Sequence, residues 1–351
     1  MRARAAMLLF LIMSLAGPAR GVILFSSAER NTAAPTGTLS GSGWQYQAQF
    51  TGFLGTPISP RYFITAQHIG GFVGQDVIYQ GQTYFTDQFI DVPGTDLRLW
   101  RISGTFPSWA PLYDRASDGS EVGKRLVVFG RGTQRGEPIL LDEPIRQPSN
   151  GPSRLHQPIE SPFHTAVKGW RWGPDDRLQS WGENTVSDVI SDPGFGELLY
   201  FTFDRGAGPN EAHLSAGDSG GGVFIESAGV WKLAGINFAV DGPFRLAPTE
   251  PEFLGAIFDA GGLYVGNPPT LLPNTSEDLP TGAYASAISG SLPFILQTIS
   301  AGRAVGIPEP RGATLLLAAA AALSQARRLQ WNRHTRSGDC PPGCTKKPLE
   351  A

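Results

Sequence analysis

Nowhere between residues 40 and 297 does this 351-residue chain sustain the 3.6-residue apolar period of a long amphipathic helix. It offers short runs rich in aromatic and β-branched residues, at 45–53, 61–65, 97–102, 125–129, 198–203, 222–225 and 231–238, separated by Gly, Pro, Asp or Ser. Such a body reads as short strands joined by tight turns, so the expected class is all-β. The 44 glycines and 29 prolines, about a fifth of the chain, supply the turns and stay below the roughly 25–30% that marks low-complexity sequence. The only cysteines, Cys340 and Cys344, lie close together near the C-terminus, so no disulfide cross-links the body and packing must hold it. With 28 basic against 31 acidic residues the net charge is −3, which gives no general affinity for nucleic acid.

The two ends read as addresses. Residues 1–21 begin with Arg2 and Arg4, run through apolar residues 5–16 and finish in small residues at Gly17, Ala19 and Gly21. That order is the layout of a secretory signal peptide, its apolar run over 5–16 too short for a membrane span of about 20 residues, and the chain is expected to be exported. Near the other end, Pro308-Glu309-Pro310 precedes an apolar stretch over 313–323 and the pair Arg327-Arg328. This order resembles the PEP-CTERM sorting signal of exported bacterial proteins. The resemblance implies an exosortase-type sorting enzyme as a partner, transient membrane anchoring through 313–326, and a secreted or envelope-associated location. A helix packed on the body is the alternative for 313–323. A polar tail, 329–351, follows.

The chemistry centres on Gly217-Asp218-Ser219-Gly220-Gly221-Gly222. Glycines around Ser219 leave its hydroxyl uncrowded and free the backbone so that amide N–H groups can converge where an oxyanion would form. Serine needs a base, and the base an orienting carboxylate. Five histidines are available: His68, His156, His164, His213 and His334. His68 ends the run Phe63-Ile64-Thr65-Ala66-Gln67-His68, an apolar strand leading into a small-residue turn, where a ring can face a cleft. Asp96 opens Asp96-Leu97-Arg98-Leu99-Trp100, a strand mouth; alone it would read as a turn cap.

Together these elements resemble the chymotrypsin-like (trypsin-like) serine peptidases. The run from Ile58 to His68 is similar to that family's strand before the catalytic histidine, with Gln67 and Ile69 where Ala and Cys are usual. The segment opened by Asp96 is similar to the aspartate strand, and Gly217-Asp218-Ser219-Gly220-Gly221 matches the nucleophile motif at each position. Tyr284-Ala285-Ser286-Ala287-Ile288 with Phe294-Ile295 resembles the closing helix. The resemblance implies two six-stranded antiparallel barrels over 22–297, the first at about 40–120 and the second at about 121–297, with a short C-terminal helix. It implies a serine endopeptidase with His68, Asp96 and Ser219 as the triad, an oxyanion hole from the N–H groups of Gly217 and Ser219, a polypeptide substrate and no cofactor. His213 stands where the family places the floor of its primary substrate pocket, so cleavage after neutral or apolar residues is expected. Asn237-Phe238-Ala239-Val240 departs from the family's substrate-pairing edge. A cut after Gly21 would create a terminus at Val22 within reach of Asp218; pairing of Asp218 with an internal donor is the other expectation.

Rival chemistries fit less well. The G-x-S-x-G elbow of α/β-hydrolases requires a histidine after the serine, and the only one is His334, beyond the apolar stretch. No H-E-x-x-H occurs, and His156 and His164 stand eight apart in irregular sequence, so no metal site is expected. A binding or matrix protein on an inactive peptidase scaffold stays open. The segment 132–192 is expected to be a loop-rich insertion, and linkers are expected at 266–281 and 298–307.

Overall fold

The computed structural model describes residues 21–144, 163–175 and 177–301. The signal-peptide residues 1–20, the cluster 147–153, His156, His334, the sorting segment 308–328 and the tail with Cys340 and Cys344 lie outside the described residues. So does 302–307 of the expected linker.

Six strands close into a barrel: β1 (Ala48–Phe50), β2 (Phe53–Pro57), β3 (Tyr62–Ala66), β4 (Asp76–Tyr79), β5 (Gln82–Asp91) and β6 (Leu97–Ser103). The order is β1-β2-β3-β6-β5-β4, and Gln49–Ile78 and Phe50–Val77 pairings close it. Successive side chains of a strand point to opposite faces. On β3, Phe63 therefore joins Trp100, Phe50, Tyr79 and Phe106 inside the barrel. Tyr62, Ile64 and Ala66 point the other way, into a second core shared with the rest of the molecule. Both faces being buried, β3 reads as an unbroken apolar run rather than an alternating one.

The remainder is built on a seven-stranded antiparallel sheet. Its members are β7 (Arg125–Gly130), β10 (Ser180–Thr185), β11 (Asp188–Asp192), β12 (Gly196–Thr202), β13 (Gly222–Ser227), β14 (Val230–Val240) and β16 (Gly282–Ala287), in the order β10-β7-β13-β14-β16-β12-β11. Where a second closed barrel was expected, only the first closes through a backbone ladder among the described residues. The free edge of β10 is engaged by bridges from Asn31 to Trp181 and from Glu211 to Glu183. Its approach to β12 is made by a side chain, Asn184 Nδ2 donating to Thr202 O at 2.7 Å.

Three expectations are corrected. The segment 132–192 is not loop-rich where it is described: β8 (Thr133–Pro144) and β9 (Phe163–Asp175) form a long hairpin, and β9 also pairs with β15 (Gly255–Ile257). Register shifts on either side of Trp170 interrupt the period-two pattern that would have revealed these strands. Residues 266–281 are not a linker: Thr270–Leu271 pairs with Tyr264–Val265, and Leu272 and Leu279 pack against Ile139, Phe253 and Ile257. Tyr284 to Ala287 belong to a strand, and the C-terminal helix spans Ile288–Ala301, taking in Ser300. Small side chains let β16 lie buried between β14 and β12, a position whose composition is easily mistaken for helix.

The barrel and the sheet meet at a common core. Leu54, Leu97 and Leu99 pack there with Val127, Phe129, Phe224 and Ile236, and the C-terminal helix adds Ile288, Leu292 and Ile295. At about 1.5–3 kcal/mol for each large apolar side chain taken fully from water, this contact fixes how the two halves face each other.

Candidate active site

Antiparallel pairing brings the first two candidates together. Ala66 at the end of β3 faces Leu97 at the start of β6, so residues just beyond each strand become neighbours. His68 lies in the short turn Gln67–Ile69 after β3, and Asp96 directly precedes β6. Gln67 N donates to Asp96 O at 2.6 Å, and His68 N to Asp96 Oδ1 at 3.0 Å, so backbone as well as side chain holds the carboxylate. The other oxygen, Oδ2, lies 2.6 Å from His68 Nδ1. Across the junction between barrel and sheet, His68 Nε2 lies 2.8 Å from Ser219 Oγ. Asp96 is buried, while Ser219 keeps partial exposure. An ionised carboxylate on Nδ1 favours the tautomer with the proton there and leaves Nε2 to accept the serine proton.

The loop carrying Ser219 is anchored from below by Asp218. Its Oδ1 accepts from Gly132 N at 2.7 Å; its Oδ2 accepts from Ser215 N at 2.7 Å and from Ser215 Oγ at 3.0 Å. Burial pushes the Asp218 carboxyl up to about 6, and the Ser215 and Gly132 amides and the charge of Arg30 oppose that rise. Arg30 is itself buried and donates to Thr133 O at 2.7 Å, next to Gly132.

Two glycines are required by shape. Gly217 has φ +95°, and a Cβ there would meet Arg131 O and Gly132 Cα at 3.0 Å. Gly220 has φ +78°, and a Cβ would stand 2.3 Å from Thr65 Oγ1 and 2.5 Å from Leu54 O, on the barrel side of the cleft. Among the described residues, neither Gly217 N–H nor Ser219 N–H donates to a protein acceptor. Two amide donors beside a nucleophile are the makings of an oxyanion hole.

His213 takes no part in the hydrogen-bonded row. It is fully enclosed, its Nδ1 2.7 Å from Leu214 O and its ring edge-on to Phe203 at 5.6 Å. Burial pushes its imidazole down to about 4, so it is neutral at pH 7.

Other residues meet at the site, two of them from the stretch 237–240 already singled out in the sequence. Phe238 packs edge-on to the His68 ring, with Phe195 behind it at 4.8 Å. Asn237 is tied to the serine loop by side chain and backbone. Its signal was available: one amide in the otherwise apolar run over 234–240. Gly132, Ser215 and Arg30 carried no such signal, because nothing local marks a residue as partner to a carboxylate up to 188 positions away.

No protein-family model matches this chain, and no curated protein does.

Proposed function

We propose that this chain is an exported serine endopeptidase of chymotrypsin-like architecture, with the seven-stranded sheet as the counterpart of that architecture's second barrel. The reading is carried by one observation, the row Asp96 Oδ2, His68 Nδ1, His68 Nε2, Ser219 Oγ, linked at 2.6 and 2.8 Å by residues 28 and 151 positions apart. In this reading Ser219 Oγ attacks the scissile carbonyl while His68 Nε2 takes its proton. Asp96 holds the imidazole tautomer and stabilises the imidazolium. The Gly217 and Ser219 amides receive the oxyanion. His68 then gives its proton to the leaving amine, and a water activated by the same base hydrolyses the acyl-enzyme. Nucleophile, base and oxyanion donors all come from the chain, so the reaction calls for no metal or organic cofactor. Export and envelope retention rest on residues 1–21 and 308–328, read from the sequence alone, with an exosortase-type enzyme as the partner of the latter.

The test uses a fluorophosphonate probe and a denatured polypeptide substrate. The wild type is expected to label and to cleave; Ser219→Ala is expected to do neither while keeping the same circular dichroism. Turnover retained by Ser219→Ala removes the triad assignment. A folded wild type that neither labels nor cleaves is instead a binding or matrix protein on a peptidase scaffold.

A further inference from the structure

From Ala234 to Val240, β14 carries a single polar residue, Asn237, and it is fully buried. A buried amide is costly unless its hydrogens are bonded. Both Nδ2 hydrogens are: one goes to Phe129 O at 2.7 Å, the other to Asp218 O at 2.9 Å, while Oδ1 is buried without a partner among the described residues. Since both partners are carbonyl oxygens, only the NH₂ end can face them, and the orientation of the amide follows. The Asn237 backbone grips the same loop, its N donating to Gly221 O at 2.9 Å and its O accepting from Gly220 N at 3.1 Å.

The bond to Asp218 O bears on chemistry. The peptide joining Asp218 to Ser219 is trans and planar, so its C=O and N–H point in opposite directions. Holding the carbonyl against Asn237 turns the Ser219 N–H away from β14. The Asp218 carboxylate is anchored separately, through Gly132 and Ser215, and rotation about the bonds between does not transmit that anchorage to the carbonyl. Without Asn237 the carbonyl keeps one weaker contact, from Gly221 N at 3.2 Å.

We propose that Asn237 is a positioning residue for the oxyanion hole, setting the plane of the Asp218–Ser219 peptide and so the aim of the Ser219 N–H. This rests on the peptidase reading. A donor aimed at the oxyanion acts on the transition state more than on bound substrate, which distinguishes the role from mere packing.

The experiment compares Asn237→Leu, which fills the space without donors, and Asn237→Ser, whose short hydroxyl cannot reach both carbonyls. Readouts are kcat and KM on a peptide substrate, and affinities for a peptidyl aldehyde and for the matching product peptide. The aldehyde adds to Ser219 as a hemiacetal whose oxygen falls in the hole; the product peptide does not. Loss of a whole oxyanion donor costs about 10²–10³ in kcat, so misaiming one is expected to cost about 10–10². KM and product affinity should stay within about twofold, and aldehyde affinity should fall in step with kcat. Unchanged kcat and aldehyde affinity in a folded variant overturns the role, as do equal losses for aldehyde and product. Unfolding of both variants would make Asn237 a structural residue only. A wild type that neither cleaves peptide nor binds aldehyde removes the peptidase reading itself.

Discussion

Ile23 pairs with His213 in a short antiparallel ladder, and Leu24 with Ala212. This ladder carries the start of the described chain into the sheet half: Val22 is fully buried, and a Cβ on Gly21 would stand 2.8 Å from Gly130 O. A Cβ on Gly130 would in turn be 1.9 Å from Asp218 Oδ1, so one backbone layer separates Gly21 from the carboxylate under the nucleophile loop. A terminus created at Val22 would thus lie near Asp218.

Asp218 nevertheless has its own partners: two amides, one hydroxyl and the field of Arg30. A buried carboxylate so provided holds its loop without a terminal ammonium. The expected outcome is that protein beginning at Val22 keeps its kcat/KM within about threefold when the terminal amine is acetylated. N-terminal sequencing with peptide assays before and after acetylation checks this. A loss of tenfold or more would show that the ammonium, rather than Arg30 and the amides, completes the site.

In the peptidase reading, His213 holds the position that the resemblance assigns to the pocket floor. Its imidazole is enclosed, neutral at pH 7 and occupied with Leu214 O and Thr281 Oγ1, so it presents no negative charge to a substrate cation. With no carboxylate at that position, nothing there pairs with a substrate Arg or Lys. A peptide library cleaved at pH 7–8 is expected to show neutral or apolar residues before the scissile bond. Dominance of Arg and Lys would mean that a different residue reads the substrate.

How far the site was legible depends on range. Ser219 and its glycines are contiguous, and His68 and Asp96 each sit at the end of an apolar run whose strand the composition already reveals. Once β3 and β6 pair, their adjacency follows. The hairpin of β8 and β9 was hidden for a local reason: bulges around Trp170 break its alternation. Arg30, and the role though not the place of Asn237, were hidden for a non-local one. An amide in a strand or an arginine in a leading segment acquires meaning only when the chain brings Asp218 to it. That no second ladder closes among the described residues is of the same kind, since the edge of β10 is engaged by segments at 31 and 211.

Glu211, just ahead of the His213 ladder, makes stability depend on pH. It is buried, and its Oε1 accepts from Asn184 Nδ2 at 3.1 Å and from Asp204 N at 3.0 Å. Burial pushes its carboxyl up to about 8; the Asp204 amide opposes this, and the charges of Asp204 and Glu183 add to it. The folded protein therefore holds this proton between its ordinary value of 4.5 and about 8, where the unfolded chain has lost it. Stability from this group is full below pH 4.5, falls as pH rises, and is lowest above about 8. Glu211→Gln stays neutral throughout, and its remaining oxygen can keep both hydrogen bonds. Against the wild type it is expected to be unchanged near pH 4.5 and more stable by about 1–3 kcal/mol above pH 8, a rise of several degrees in Tm. Asp218 and Asp241, raised to about 6 and about 7, titrate in the same direction, and His213, lowered to about 4, in the opposite one. All three are present in both proteins and cancel in the difference. Thermal unfolding of the pair at pH 4.5, 7 and 9 reads that difference directly, and a Tm gap that does not widen with pH would mean that Glu211 is already ionised in the folded state at neutral pH.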